Sequence, residues 1–239
     1  LYGSDPAVLA EQAARWQHLA DLFSACFPDH DQVRLFSTPG RTEIGGNHTD
    51  HQHGRVLCAS VDLDLIAVAA PNRDNVIRLQ SEGFQHMDVI DLRHLDPVEA
   101  EKEHSAALIR GIAAAFRQQH CQIGGFDAYT TSRVPKGSGL SSSAAFEVLV
   151  ATILDTLWNN GRLSPVERAK IGQYAENTYF GKPSGLMDQC GCSVGGFLAI
   201  DFLDPVRPDV RPIDFDLATT GHALIITDTG GSHADLTAD

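Results

Sequence analysis

Three stretches of the chain concentrate residues that can do chemistry. The first is Pro135-Lys136-Gly137-Ser138-Gly139-Leu140-Ser141-Ser142-Ser143-Ala144-Ala145. Its glycines let backbone approach a ligand closely, and Ser141, Ser142 and Ser143 offer three consecutive hydroxyls. A helix starting directly behind it supplies free amide N–H groups and a partial positive charge, which together make an anion cradle suited to a polyphosphate. No Gly-Lys-Ser/Thr closes the stretch as a Walker loop would, and Ser142 stands where the dinucleotide fingerprint has its third glycine. A turn that only caps the helix is the alternative. The second stretch, residues 40–54, crowds polar side chains between glycines, as in a loop that wraps a polar ligand. His48, Asp50, His51 and His53 are also metal-donor types, but no HExxH or CxxC pattern accompanies them, and a solvated His-rich loop is the plain reading. In the third stretch Glu176 falls late in an expected helix and Asp188 just beyond a Gly/Pro break. One carboxylate there can hold a metal while the other accepts a proton; a surface helix residue and a helix cap are the alternative.

These residues need a scaffold, and the periodicity supplies one. Asp5 and Pro6 open a helix whose apolar positions Leu9, Ala13, Trp16, Ala20, Phe23 and Phe27 recur at three- and four-residue steps. Residues 61–68 alternate, with Asp62 and Asp64 between Val61, Leu63 and Leu65, which predicts a strand with one wet face. Residues 71–74 read as a turn and 76–79 as the returning strand. Helices are expected over 99–117 and from Ser142–Ser143 onward, with Phe146, Leu149, Val150, Ile153 and Leu157 on one face. Ser164-Pro165-Val166-Glu167 is a capping box, so a further helix should run to about Gly181. Strand signals return at 197–202 and 223–227. Strands, then helices, then strands predict a mixed α/β or α+β fold. Cys190-Gly191-Cys192 is too closely spaced for the usual zinc or redox motifs and reads as small-residue packing. Trp158 reads as core.

Composition narrows the function classes. The 239 residues carry 18 Lys+Arg against 31 Asp+Glu, a net charge of −13. That balance disfavours a nucleic-acid or anionic-membrane surface, which needs a basic patch. No apolar run approaches the roughly 18–20 residues of a spanning helix. An odd number of cysteines is a poor disulfide framework, and with no signal-peptide pattern in LYGSDPAVLAEQ a cytoplasmic location is expected. The chain opens on Leu1 and closes in polar residues after an apolar run, so it is expected to be the front part of something longer.

All three stretches, in this order, resemble the galactokinase branch of the GHMP kinases. The family signature GRxNxIGEHTDYxxG is matched by GRTEIGGNHTDHQHG, PxGxGLSSSA by PKGSGLSSSA, and AEHxFxGxPCGIMDQ by AENTYFGKPSGLMDQ. The resemblance implies an ATP-dependent kinase acting on the anomeric hydroxyl of galactose or a related sugar. It makes Asp188 the general base, with Arg41 beside it and the transferring phosphoryl group. Gly137, Ser138, Gly139, Leu140, Ser141, Ser142 and Ser143 correspond to the ATP phosphate loop, and Ser81 to a nucleotide-contacting serine. Ser143 and Glu176 correspond to Mg²⁺ contacts, and Asn47, His48, Thr49, Asp50 and Gly185 to positions that hold the sugar. Asn47 replaces a family Glu that meets the sugar's 6-hydroxyl; Glu43, Gly45, His51 and Ser184 also depart from the signatures. The implied layout is an ATP- and sugar-binding domain over 1–205 and the opening of a second domain over 206–239, where GGSHADLTAD resembles the segment before a sugar-packing Tyr. Other readings are a kinase for galacturonate or a non-sugar alcohol, and a non-catalytic sensor of sugar and ATP.

Overall fold

A computed structural model describes residues 2–227. Helix α1 (Pro6–Cys26) starts where the sequence places it: the Asp5 carboxylate accepts from the Ala7 amide at 2.8 Å, and Pro6 occupies the first turn. Strands β1 (Arg34–Gly45) and β2 (Arg55–Pro71) follow as an antiparallel pair. β2 is the spine of the sheet. β1 runs along one of its edges; the other is shared between β5 (Phe126–Ser132), paired to residues 65–71, and β6 (Phe197–Asp201), paired to residues 55–59. β3 (Val76–Ser81) lies parallel to β5 and carries β4 (Asp88–Asp91), while β7 (Asp209–Ile213) pairs with β6.

Period-two burial along β2 explains the layers. Leu65, Ala67 and Ala69 face a core with Ile77, Leu79 and Ile90, roofed by α2 (Ser105–Gln118), α3 (Ser142–Asn159) and α4 (Pro165–Ala175). Ile66, Val68 and Ala70 face the other way, onto Leu19, Phe23 and Phe27 at the end of α1. The wet face expected from Asp62 and Asp64 therefore survives only at Asp62. Asp64 is buried and bonded by Arg15, by Ser37 Oγ and by Tyr2 Oη, the last two at 2.7 Å. Burial alone would raise its pKa; these donors outweigh burial and hold the carboxyl below its ordinary value.

The mixed α/β class holds, and several boundaries shift for local reasons. The helix expected from 99 begins at Ser105: residues 99–101 form a separate 3-10 turn, and Glu103 at φ +62° interrupts the chain. The capping box works as expected, with Ser164 and Glu167 exchanging bonds, but the helix changes character before Gly181. Residues Glu176–Phe180 widen into a π turn, closed by Gly181 at φ +90°. Residues 223–227 form no strand; Leu224, Ile225 and Ile226 are exposed, and no described strand lies beside them. The segment GGSHADLTAD lies outside the described residues. β1 and α5 (Met187–Val194) had no strong periodic signal and were not expected. Cys190, Gly191 and Cys192 are buried small-residue packing, and burial pushes the Cys58 and Cys190 thiols up to about 12, leaving them inert at neutral pH. No described helix is long and apolar enough to cross a membrane.

Candidate active site

The ladder between β1 and β2 breaks its register between Pro39 and Arg41, opposite Asp64 and Ser60. Such irregularities re-aim side chains, and here the residue beyond the break is Arg41. Arg41 is 4% exposed. Its Nε and Nη2 donate to Asp188 Oδ1 at 2.8 and 2.5 Å, and its Nη1 donates to the Gly139 carbonyl at 2.7 Å. The Arg41 amide also donates to the Leu140 carbonyl at 3.1 Å. One side chain thus ties the end of β1 to the 137–143 loop and to the first turn of α5. Two glycines permit the approach. A Cβ on Gly40 would stand 2.9 Å from the Leu140 carbonyl oxygen, and one on Gly191 would stand 2.8 Å from Arg41 Cβ.

Gly137, Gly139 and Ser141 all have positive φ (+68°, +74° and +58°), so the loop curls ahead of α3. Ser141 sits at the N-cap of α3, yet its hydroxyl makes no cap; it donates to Asp188 Oδ2 at 2.5 Å. The first-turn amides of α3 are left without a side-chain acceptor, which is how a helix start serves an anion. Asp188 is therefore gripped on both oxygens, by Arg41 and by Ser141.

The loop, Arg41 and Asp188 border a cavity of about 500 Å³, whose wall also carries His48, Asp50, Lys182 and Gly185. Asp50 is buried, and its Oδ2 accepts from the Met187 amide at 3.1 Å. Gly185 touches it so closely that a Cβ would fall 1.8 Å from Asp50 Oδ2. The Gly185 segment is held in turn by Asn177, which accepts from the Ser184 amide at 2.7 Å, and by Gln173, which donates to the Ser184 carbonyl at 3.1 Å. Glu43, a departure from the signature, accepts from the His48 amide at 2.9 Å. Thr49 turns inward, donating to the Gly46 carbonyl at 2.9 Å, and Asn47 is exposed at φ +55°. Asn47 and Thr49 flank this wall without lining the cavity.

Behind the loop, Ser143 Oγ lies 3.5 Å from Glu176 Oε1, and Lys182 Nζ stands 4.0 Å from the same oxygen. The two oxygens suit a hard cation that takes few protein ligands and shares the rest with phosphates and water. Among the described residues no group of three or more His, Cys, Asp or Glu could hold a metal ion, the His48–His53 stretch included. Ser81 is placed elsewhere: at the end of β3, 3.0 Å from Thr130 Oγ1 and outside the cavity lining. The sequence reading missed Glu147 and Gln189, both fully buried next to Glu176. Glu147 stands four residues after Ser143 on the same helix face, a lone acid in an apolar run, and that was its only signal. Burial, and then the neighbouring Glu176 carboxylate, raise its pKa well above the usual carboxylate range.

Comparison with known proteins places the chain in a family. Residues 107–196 match the GHMP kinases N terminal domain, and residues 21–71 match the galactokinase galactose-binding signature. A galactokinase from Streptomyces coelicolor is 34% identical over 203 residues, 84% of this chain and 51% of the relative. One from Lactococcus lactis is 32% identical over 232 residues, 93% of this chain and 58% of the relative. The crystal structure of Lactococcus lactis galactokinase complexed with galactose superposes with a TM-score of 0.75 at 29% identity, covering 83% of this chain and 52% of that one. Methanococcus jannaschii mevalonate kinase shares the fold at TM-score 0.63 and 18% identity. The chain spans about half the length of the curated relatives it matches.

Proposed function

The chain belongs to the galactokinase branch of the GHMP kinases, and from that premise we propose that it carries the ATP- and sugar-binding part of a kinase that phosphorylates the anomeric hydroxyl of galactose. The observation that supports this reading most is the placement of Asp188. Its carboxylate is held by Arg41 and Ser141 beside an uncapped, glycine-curled loop, and it lines the same cavity as Asp50. Phosphoryl transfer asks a protein mainly for positioning and charge stabilisation. In this proposal residues 137–143 cradle the ATP phosphates, with Ser81 as an outlying nucleotide contact. Asp50, His48 and Gly185 orient the sugar, with Asn47 and Thr49 beside them. Asp188 takes the proton from the attacking hydroxyl, and Arg41 places a fixed positive charge beside both. Ser143 and Glu176 would hold Mg²⁺, which when bound neutralises phosphate oxygens. The domain division at 205/206 belongs to the same proposal; β7 lies just beyond it and still pairs with β6.

The full-length protein incubated with ATP, Mg²⁺ and galactose should yield ADP and galactose 1-phosphate, read by phosphorus NMR. Tight binding of both ligands with no transfer would instead make this a sensor, and transfer only to another alcohol would move the substrate class.

Specificity at carbon six provides a second test. We assign that position to Asn47, whose neutral amide both donates and accepts. Because Asn47 is exposed and water can replace a lost partner, galactose should outperform 6-deoxygalactose by only about 2- to 12-fold in kcat/KM, the net worth of one ordinary hydrogen bond. Asn47→Glu should keep or improve galactose turnover and suppress any activity on galacturonate, because two carboxylates would meet at short range. Identical profiles for the two proteins on all three sugars would remove Asn47 from the sugar site.

A further inference from the structure

Three helices meet behind the phosphate loop at one buried amide. Gln189 Nε2 donates one hydrogen to Glu147 Oε2 and the other to Glu176 Oε2, both at 2.9 Å. Glu147 comes from α3, Gln189 from α5, and Glu176 opens the π turn after α4. All three side chains are buried, Glu147 and Gln189 at 0% exposure. Glu147 Oε1 and Gln189 Oε1 have no hydrogen-bond partner among the described residues. A buried, half-satisfied polar network is costly and is not what packing alone selects. Room for it has been made: Gly172 of α4 faces it, and a Cβ there would press within 3.1 Å of Glu147 Oε2 and 3.3 Å of Gln189 Cγ.

We propose that Gln189, anchored by Glu147, is a positioning residue that fixes the Glu176 carboxylate so that its other oxygen, Oε1, faces Ser143. The bond count supports this directionality. Glu176 Oε2 is occupied by Gln189, whereas Oε1 has only the 3.5 Å approach of Ser143 and the 4.0 Å approach of Lys182. Glu176 stands at the junction of an α-helix and a π turn, a feature frequent at functional sites, and a Glu side chain carries rotamer freedom that helical backbone does not remove. A buried amide with both hydrogens committed removes that freedom. The inference rests on the reading of Glu176 and Ser143 as the metal-facing pair, and it adds the residues that hold them. Outer partners of this kind typically change metal affinity by 10- to 100-fold when removed.

The test uses the full-length protein and calorimetry of ADP binding with and without Mg²⁺, beside thermal melting. For the wild type, Mg²⁺ should tighten ADP binding. Gln189→Leu should reduce that metal-dependent gain about tenfold or more while metal-free ADP affinity stays within about twofold. Glu147→Leu should act in the same direction. Glu147→Gln keeps an acceptor for Gln189 and should retain the wild-type gain. Should Gln189→Leu not fold, the contrast between Glu147→Leu and Glu147→Gln decides the question. A folded Gln189→Leu protein with the full metal-dependent gain, or equal losses in both Glu147 variants, would overturn the proposal. A wild type whose ADP affinity ignores Mg²⁺ would overturn the reading of Ser143 and Glu176 as the metal-facing pair, a failure visible before any variant is made and separate from the transfer assay that tests the kinase reading.

Discussion

Asp188→Asn is expected to lower kcat by about 10²- to 10⁴-fold, the usual contribution of a positioned general base, while the melting temperature and the KM values for ATP and galactose change little. The site geometry permits so selective a loss. Arg41 Nε and Nη2 both donate to Oδ1, which the Asn carbonyl oxygen replaces without rearrangement. On the other side Ser141 Oγ now donates to Oδ2, and facing an amide nitrogen it only has to reverse its hydroxyl and accept. The variant keeps a partner for both atoms, and loses the lone pair that takes the proton together with the negative charge that pairs with Arg41. Steady-state turnover in a coupled ADP assay, with melting curves on the same preparations, checks this. Asp188 is also in the first turn of α5, where a carboxylate stabilises the positive end of a helix. Near wild-type turnover together with a lowered melting temperature would mean that this is its whole role.

How much of this was legible in sequence depends on how local each feature is. The phosphate loop is contiguous: its glycines, hydroxyls and following helix are adjacent in the chain, so residue types alone convey an anion cradle. Asp5, Pro6 and the 164–167 capping box are equally local and landed where expected. Arg41 and Asp188 lie 147 residues apart, and no periodicity connects them; the resemblance to a family supplied that pairing. Residues 40–45 read as a ligand-wrapping loop because glycines and polar residues mask a strand whose alternation runs through Phe36, Thr38 and Gly40. The sequence of β2 predicts a wet face because nothing local reveals that α1 covers it and that Arg15 reaches Asp64. Ser141 reads as one more loop hydroxyl; its turn toward Asp188 goes with a left-handed backbone at a non-glycine residue, which sequence does not announce.

Arg41 should prove as sensitive as Asp188, for a different reason. It does three things at once: it donates twice to the base, pins the Gly139 carbonyl and carries a fixed positive charge at the cavity edge. Arg41→Met keeps much of the aliphatic stem that packs on Gly191 and deletes all three functions, so kcat should fall about 10²- to 10³-fold, as when a preorganised electrostatic donor is removed. Arg41→Lys retains the charge but not the planar fork, and a single ammonium cannot reach Asp188 and the loop carbonyl together. Its turnover should fall between those of the wild type and Arg41→Met. The decisive measurement is the double variant. If Arg41 acts mainly by holding Asp188 and its charge, the combined loss should be well short of the product of the single losses, as for residues that work as a unit. Losses that simply multiply would show two independent contributions. A folded Arg41→Met protein within a few-fold of wild-type turnover would place the transferring phosphoryl group away from the guanidinium and leave Arg41 as the strut between β1, the loop and α5.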